Sequence, residues 1–210
     1  MSDDTPLDPA ASVALIAEQR AKVQAATDVD GRLLFGVWGV AWLIGFWLQW
    51  AAWGDDPLIH LSYGAALAVF GMLLITAMVV TTVHIARRSA GIRGTTSTQG
   101  AMYGWAWFFA FAGIGVLGHA LDSAGASAEV VSTAMTASST LFVGVLYMAG
   151  GALWRVRIQF VLGAWICLVT IVATLVGAPN MLLVMALGGG GGMLMVGVIE
   201  AVRRGRRLGR

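Results

Sequence analysis

Residues 158–199 read IQFVLGAWICLVTIVATLVGAPNMLLVMALGGGGGMLMVGVI and contain no charged side chain. The tetrapeptide GAPN at 177–180 separates two apolar segments in this part of the chain, 158–177 and 180–202. Because the hydrocarbon core of a bilayer is about 30 Å thick, a helix needs about 20 apolar residues to cross it. The two segments therefore predict two membrane-spanning helices joined by a tight turn.

Four earlier segments have the same length and apolar character: 33–53, 60–86, 101–121 and 130–153. They are continuous apolar runs, unlike the strands of about ten residues with alternating polarity that build a membrane β-barrel. We predict an all-α, polytopic membrane protein with six transmembrane helices. Its expected organisation is an N-terminal region at 1–32, a six-helix domain at 33–202 and a basic tail at 203–210.

Charge is scarce and is concentrated at the two ends of the chain. Charged residues make up 11% of the 210 residues, whereas soluble domains usually contain about 25%. Nine charged residues lie within 1–32 and five within 203–210, which leaves ten for the 170 residues between them. This distribution argues against a soluble globular protein. The basic residues also lack the aromatic neighbours of a nucleic-acid surface, so no nucleic acid is expected as a partner.

The basic residues predict the orientation in the membrane. Lys and Arg beside short loops remain on the cytoplasmic side. All 13 fall in the N-terminal region, in the second and fourth connections and in the tail, and the other three connections contain none. We therefore predict a multi-pass protein with both termini in the cytoplasm. Twelve of the 13 are Arg, which is typical of GC-rich bacterial genomes and favours the bacterial plasma membrane.

Residues 10–28 predict a short amphipathic helix before the first span. Val13, Ile16 and Val23 fall roughly on one side of such a helix. A helix of this kind can lie on the anionic lipids of the inner leaflet. The alternative is a short cytosolic helix or a frayed leader.

Hydroxyl groups are concentrated on the fourth span. Helical spacing places five of its polar residues on one broad stripe: Ser132, Thr136, Ser139, Thr140 and Tyr147. Such a stripe is expected to face other helices rather than acyl chains. It predicts either a ligand path, with the aromatic residues Trp38 and Trp42 of the first span as a further wall, or hydrogen bonding between helices.

The sixth span contains five consecutive glycines near the middle of the bilayer: Gly188, Gly189, Gly190, Gly191 and Gly192. Each glycine costs a water-exposed helix up to about 1 kcal/mol relative to alanine. One hypothesis is a hinge, or a broken helix whose backbone lines a cavity. The alternative is a close helix crossing through small residues.

Histidines near the predicted outer surface are the candidate metal ligands. His60 begins the second span and His119 ends the third, and the adjoining loops carry acidic residues. A divalent metal bound by imidazoles and carboxylates, or a haem held between two histidines, is a minor alternative to solvated side chains. No cofactor is otherwise predicted.

Other ionisable residues of the spans are expected at the inner surface. His84 should lie at that surface, and Glu200 should pair with Arg203 and Arg204 at helical spacing. We find neither G-x-S-x-G nor H-E-x-x-H, and Cys167 is the only cysteine. Enzyme activity is therefore not expected.

The whole chain resembles, in architecture, the permease subunits of ABC-type exporters. The resemblance rests on the N-terminal helix, the six spans with both ends inside, and the longest cytoplasmic loop between spans two and three. It implies transport powered by a separate ATPase that engages residues 87–99, including Arg87, Arg88 and Arg93. The chain departs from that pattern because 177–180 is too short for the external re-entrant helices of many such permeases.

Three main functional classes remain open from the sequence, and a channel or an enzyme without a recognised motif is a lesser alternative. The first is the transmembrane subunit of a multi-component transporter, with an ATPase or another membrane subunit as partner. The second is a non-transporting scaffold, assembly factor or sensor that binds anionic lipid or a soluble regulator. The third is a haem or metal protein that uses His60 and His119. A second copy of the chain is a further candidate partner.

Overall fold

The computed structural model describes residues 12–19, 30–54, 56–88 and 95–208. All regular structure within these ranges is helical, and six helices are long and apolar enough to cross a membrane. The prediction of an all-helical, six-span membrane protein is confirmed at this level. Residues 12–19 are helical. The rest of the predicted N-terminal helix lies outside the described residues, so its position on the membrane stays a prediction.

The six helices are α1 (Gly31–Ala51), α2 (Tyr63–Arg88), α3 (Thr95–Ser123), α4 (Ala128–Leu153), α5 (Arg157–Val176) and α6. The last begins as an α-helix at Asn180–Val184, continues as a π-helix over Met185–Gly190 and returns to an α-helix over Gly191–Leu208. We call these three stretches together α6.

Several helices extend beyond the spans that hydropathy predicts. The connection expected between the second and third spans is shorter, because α2 runs to Arg88 and α3 already begins at Thr95. Likewise, α6 continues to Leu208 through most of the predicted basic tail. Hydropathy locates the apolar part of a helix, whereas backbone hydrogen bonding can continue into the polar region at the membrane surface.

Polar caps and one glycine mark helix ends. Asp30 caps α1, its carboxylate accepting the Arg32 N–H at 3.0 Å, and Ser127 caps α4 by accepting the Val130 N–H at 3.3 Å. Both side chains satisfy N–H groups that have no partner within the helix. The carboxyl end of α5 is marked by Gly177, whose φ is 78°, a conformation that residues with L side chains rarely adopt. Ser127 and Gly177 thus mark helix boundaries within the short connections between α3 and α4 and between α5 and α6.

The helices pack in an order that differs from their order in the chain. Most contacts of α1 are with α2 and α6, α6 also packs on α5, α5 packs on α4, and α4 packs on α3. Within an apolar stretch of 18 residues in each span, 44% of the stretch is buried in α6, but only 11% in α2 and 6% in α3. The core therefore lies around α1, α5 and α6, and α2 and α3 form the periphery.

Large apolar side chains fill the centre of the bundle. Met181, Leu182 and Met185 of α6 are at most 1% exposed, as is Ile166 of α5. The Phe46 ring lies 5.5 Å from Trp42 and 4.8 Å from Phe70, centroid to centroid. Lipid tails are as apolar as these side chains, so association rests on close packing rather than on expulsion of water.

Glycines allow two helix pairs to approach closely. In the α1–α6 pair, a Cβ placed on Gly190 would lie 2.5 Å from the backbone nitrogen of Leu43. In the α4–α5 pair, a Cβ on Gly163 would lie 2.5 Å from the Gly144 carbonyl oxygen. Any side chain at either glycine would collide with backbone of the neighbouring helix.

Candidate functional sites

The hydroxyl-bearing residues of α4 form hydrogen bonds to side chains of two different helices, α2 and α5. Near one end, Ser132 Oγ lies 3.2 Å from the hydroxyl oxygen of Tyr63 on α2. Tyr63 also donates to Gln49 Oε1 on α1 at 3.3 Å, and the Gln49 amide donates to the Gly45 carbonyl. Gln49 is only 4% exposed, so this network satisfies a buried amide by linking α1, α2 and α4.

Deeper in the bundle, hydroxyl groups join α4 to α5. Thr140 Oγ1 lies 2.7 Å from the Thr136 carbonyl oxygen one turn earlier. It also accepts from Thr170 Oγ1 at 2.9 Å, and Thr170 Oγ1 lies 2.8 Å from the Ile166 carbonyl oxygen. Thr136 and Ser139 are half-buried on the same helix. Within the described ranges, no buried side-chain nitrogen or oxygen is left without a hydrogen-bond partner.

Tyr147 belongs to an aromatic cluster that joins α1, α3 and α4. Its ring centroid lies 6.4 Å from Phe35 and 6.0 Å from Trp107. Tyr103 packs edge-on against Trp154 at 4.9 Å and donates its hydroxyl to the Leu146 carbonyl. The contacts of Trp107 and Tyr103 attach α3 to α4 and to Trp154 just after it.

The two tryptophans predicted to line the ligand path lie in separate environments. The Trp38 indole N–H donates to Thr81 Oγ1 at 2.9 Å and links α1 to α2. Trp42 is 3% exposed and packs against Phe46 and beneath Gly189. The seven residues of the predicted path are thus distributed over several interhelical contacts, and their role in ligand binding stays a prediction.

The glycine run presents different surfaces at successive positions. Gly189 and Gly190 face α1, against the Trp42 ring and the Leu43 backbone, whereas Gly188 faces Val169 of α5. Gly192 lies beneath the Trp165 indole, and a Cβ on Gly191 would meet no atom within 4 Å. The run therefore combines a close crossing on one side with an open surface on another, and the hinge stays a prediction.

The π-helix alters the backbone hydrogen bonding within this run. The Gly191 N–H bonds to the Ala186 carbonyl, five residues earlier, and π-helical turns of this kind are often found at functional sites. The Gly188 carbonyl accepts the indole N–H of Trp165 at 2.9 Å. Trp165 therefore supplies a donor to backbone that lies at membrane depth, where polar groups need a partner.

A groove opens between α5 and α6 beside the same glycines. It has a volume of about 760 Å³, and its lining includes Trp165, Gly188, Gly191 and Gly192. Arg157, the first residue of α5, and Arg203 of α6 stand at one end. The groove is otherwise mostly apolar.

A polar cluster joins the start of α1 to the ends of α2 and α6, at the end of the bundle that carries Arg32, Arg88, Arg157 and Arg203, which we call the basic end. The Asp30 carboxylate pairs with Arg32 at 2.7 Å and lies 3.9 Å from Arg204. The hydrogen bond from the Arg32 side chain, opposed by partial burial, lowers the pKa of Asp30 from 3.8 to about 2. The Asp30 backbone N–H donates to His84 Nε2 at 3.0 Å. The cluster ties the start of α1 to α2 and α6.

Two sequence expectations meet different outcomes here. The predicted pairing of Glu200 with Arg203 is confirmed at 3.4 Å, whereas Arg204, the other predicted partner, lies 3.9 Å from the Asp30 carboxylate. His84 was expected simply at the surface, but it is half-buried and accepts the Asp30 N–H. Sequence could not reveal that contact, because the two residues are 54 positions apart.

The remaining predicted site residues that the structure describes lie near helix ends, but His60 does not begin the second span as predicted, because α2 starts at Tyr63 and His60 lies in the connection before it. Arg87 and Arg88 are exposed at the end of α2, and Arg93 lies outside the described residues. His60 and His119 are both exposed. Among the residues that the structure describes, which leave out Asp55, no three His, Cys, Asp or Glu side chains are grouped so that they could hold a metal ion.

Gln49, Tyr63, Thr170, Tyr103 and Trp165 were not identified from the sequence. Gln49 and Thr170 are isolated polar residues in apolar spans, which was a usable sign of interhelical hydrogen bonding. The other three are aromatic residues whose hydrogen-bond partners depend on how the helices pack.

Comparison with protein-family models, with curated proteins and with solved structures gave no match.

Proposed function

We propose that this chain is the transmembrane subunit of a multi-component transporter whose energy comes from a separate ATPase. The main observation in support concerns its buried polar groups. Among the described residues these are Gln49, Thr140 and Thr170, none of which is ionisable. Transport coupled to protons or ions generally uses ionisable residues inside the membrane, so energy supplied by a partner accounts better for this interior.

The proposed orientation has both termini in the cytoplasm of a bacterial cell. At the basic end of the bundle lie the start of α1, the end of α2 and the start of α5, with Arg32, Arg88 and Arg157. At the opposite end lie the acidic residues Asp56, Asp122 and Glu129, with no Lys or Arg among the residues described there. This asymmetry follows the preference of Lys and Arg for the cytoplasmic side.

The proposed ATPase contact lies between α2 and α3. Arg87 and Arg88 end α2 with exposed side chains, and α3 begins at Thr95. Because α3 packs mainly on α4 and is otherwise little buried, a protein bound there could move it with little disruption of the core. This arrangement supports residues 87–99 as the contact with the partner.

A second candidate is a non-transporting membrane scaffold, assembly factor or sensor. The observation that favours it is the filled centre of the bundle, where Ile166, Met181 and Met185 are all at most 1% exposed. A protein that carries no substrate needs no internal path. Under this alternative the exposed basic residues contact anionic lipid or a soluble regulator.

Co-purification from native membranes distinguishes the two functions. Full-length tagged protein is isolated in mild detergent, and Arg87→Glu/Arg88→Glu is compared with the charge-matched control Arg155→Glu/Arg206→Glu. We expect a stoichiometric ATPase with wild type and control, and its loss from the Arg87/Arg88 variant. Wild-type protein that elutes without an ATPase would contradict the transporter subunit. An absorption and metal scan of the same fraction tests the His60–His119 alternative.

A further inference from the structure

The α5–α6 groove is open on the side of α6 that does not contact α1. Three glycines without side chains line it: Val169 packs on Gly188 and Trp165 on Gly192, whereas a Cβ on Gly191 would meet no atom within 4 Å. Leu187 and Met195 rise beside it and are 61% and 65% exposed. The groove is thus a long apolar depression on the outer surface of the bundle.

The groove matches the length of an acyl chain in one leaflet. At 1.5 Å per residue, about 12 Å of helix separates Arg157 from Trp165, and about 18 Å separates Gly191 from Arg203. Half of a bilayer hydrocarbon core is about 15 Å thick. A hydrocarbon chain that starts at the two arginines would therefore end near Trp165 and the glycine run.

The polar end of the groove carries an excess of positive charge. Arg203 pairs with Glu200 at 3.4 Å, and its side chain is still 60% exposed. No carboxylate lies within ion-pair distance of Arg157 in the parts of the chain that the structure describes. Two guanidinium groups and one carboxylate leave one net positive charge where headgroups lie, which is complementary to a phosphodiester rather than to an apolar helix.

We propose that an anionic phospholipid binds this groove as a specific ligand. Its phosphate contacts Arg157 and Arg203, and one acyl chain lies along the glycine run against Trp165. The Trp165 indole N–H is already bonded to the Gly188 carbonyl, so the groove offers the acyl chain an apolar ring face and no unsatisfied donor. This inference does not depend on whether the protein transports a substrate.

Lipid titration of the full-length protein tests the site. The purified, delipidated protein is titrated with phosphatidylglycerol and with phosphatidylcholine of the same acyl chains, and native mass spectrometry measures the affinity of the first bound lipid. The Arg157→Gln/Arg203→Gln variant is compared with Arg155→Gln/Arg206→Gln, which removes equal charge from residues outside the groove. A second comparison sets Gly191→Phe, which fills the groove, against Gly191→Ala.

Wild-type protein should bind phosphatidylglycerol more tightly than phosphatidylcholine. Since an arginine near the surface contributes several-fold in affinity for anionic lipid and Glu200 offsets part of it, the Arg157/Arg203 variant should lose about tenfold. The control should lose much less, and Gly191→Phe should weaken both lipids. Equal affinities in wild type, equal losses in the two arginine variants, or unchanged binding by folded Gly191→Phe would overturn the site. Both arginine pairs are exposed, so their comparison remains decisive if Gly191→Phe misfolds.

Discussion

Single polar residues inside this bundle hold particular helices together. Thr140 and Thr170 meet across α4 and α5, and Gln49 is reached by Tyr63 from α2. Hydrogen bonds of this kind in membrane proteins contribute about 0.6 kcal/mol on average. Their larger effect is on specificity, because an unpaired hydroxyl or amide at this depth would be costly. Each pair therefore favours one register between its helices.

Substitutions of Asp30 test the contribution of a polar contact between helices at the membrane surface. Asp30→Ala removes the cap of α1 and the ion pair with Arg32, whereas Asp30→Asn keeps a capping oxygen and removes only the charge. Loss of a cap costs about 1 kcal/mol, so Ala should lower the thermal midpoint more than Asn. Unfolding followed by circular dichroism in detergent measures both.

The difference between wild type and Asp30→Asn should depend on pH. The pKa of Asp30 is lowered to about 2 in the folded protein, against 3.8 ordinarily. A lowered carboxyl pKa stabilises the fold above the unfolded value, and that contribution is lost as pH falls from about 3.8 towards about 2. The two proteins should converge over that interval. A difference that persists unchanged at the acidic limit would contradict this role for the carboxylate.

At the scale of elements, α6 makes two kinds of surface from one glycine run. The π-helix turns Gly189 and Gly190 towards α1 while Gly191 stays open. Hydropathy and glycine content predicted both a hinge and a close crossing. These sequence features could not distinguish a hinge from a close crossing. An analysis of periodicity assumes 3.6 residues per turn throughout the helix, whereas a π-helical turn shifts every later side chain around the helix axis.

Alanine substitutions separate the two surfaces. Gly190→Ala places a methyl group 2.5 Å from the Leu43 backbone nitrogen, and overpacking of this kind typically costs about 1–3 kcal/mol. Gly191→Ala meets no atom within 4 Å and gains the helix preference of alanine. We expect a lower thermal midpoint for the first variant and an unchanged or higher one for the second. Equal midpoints would show that the α1–α6 crossing does not depend on Gly190.

For the whole molecule, the sequence predicted the number of membrane-spanning helices but not the order in which they pack. Six spans followed from apolar length, because a bilayer leaves few other solutions. The packing order, with α6 between α1 and α5, leaves no comparable trace in local composition. The α5–α6 groove could not be predicted from the sequence for the same reason. Arg157 and Arg203 are 46 positions apart and are brought together only by the antiparallel packing of α5 and α6.

The orientation of the whole bundle can be tested by cysteine labelling. In a Cys167→Ala background, Ser123→Cys lies at the acidic end and Gly205→Cys at the basic end, and both positions are exposed. If Lys and Arg remain inside, an impermeant thiol reagent should label the Ser123 variant on intact cells and the Gly205 variant only after permeabilisation. The reverse pattern would place Arg87 and Arg88 outside the cell and remove the proposed ATPase contact. It would leave the lipid groove intact but facing the opposite leaflet.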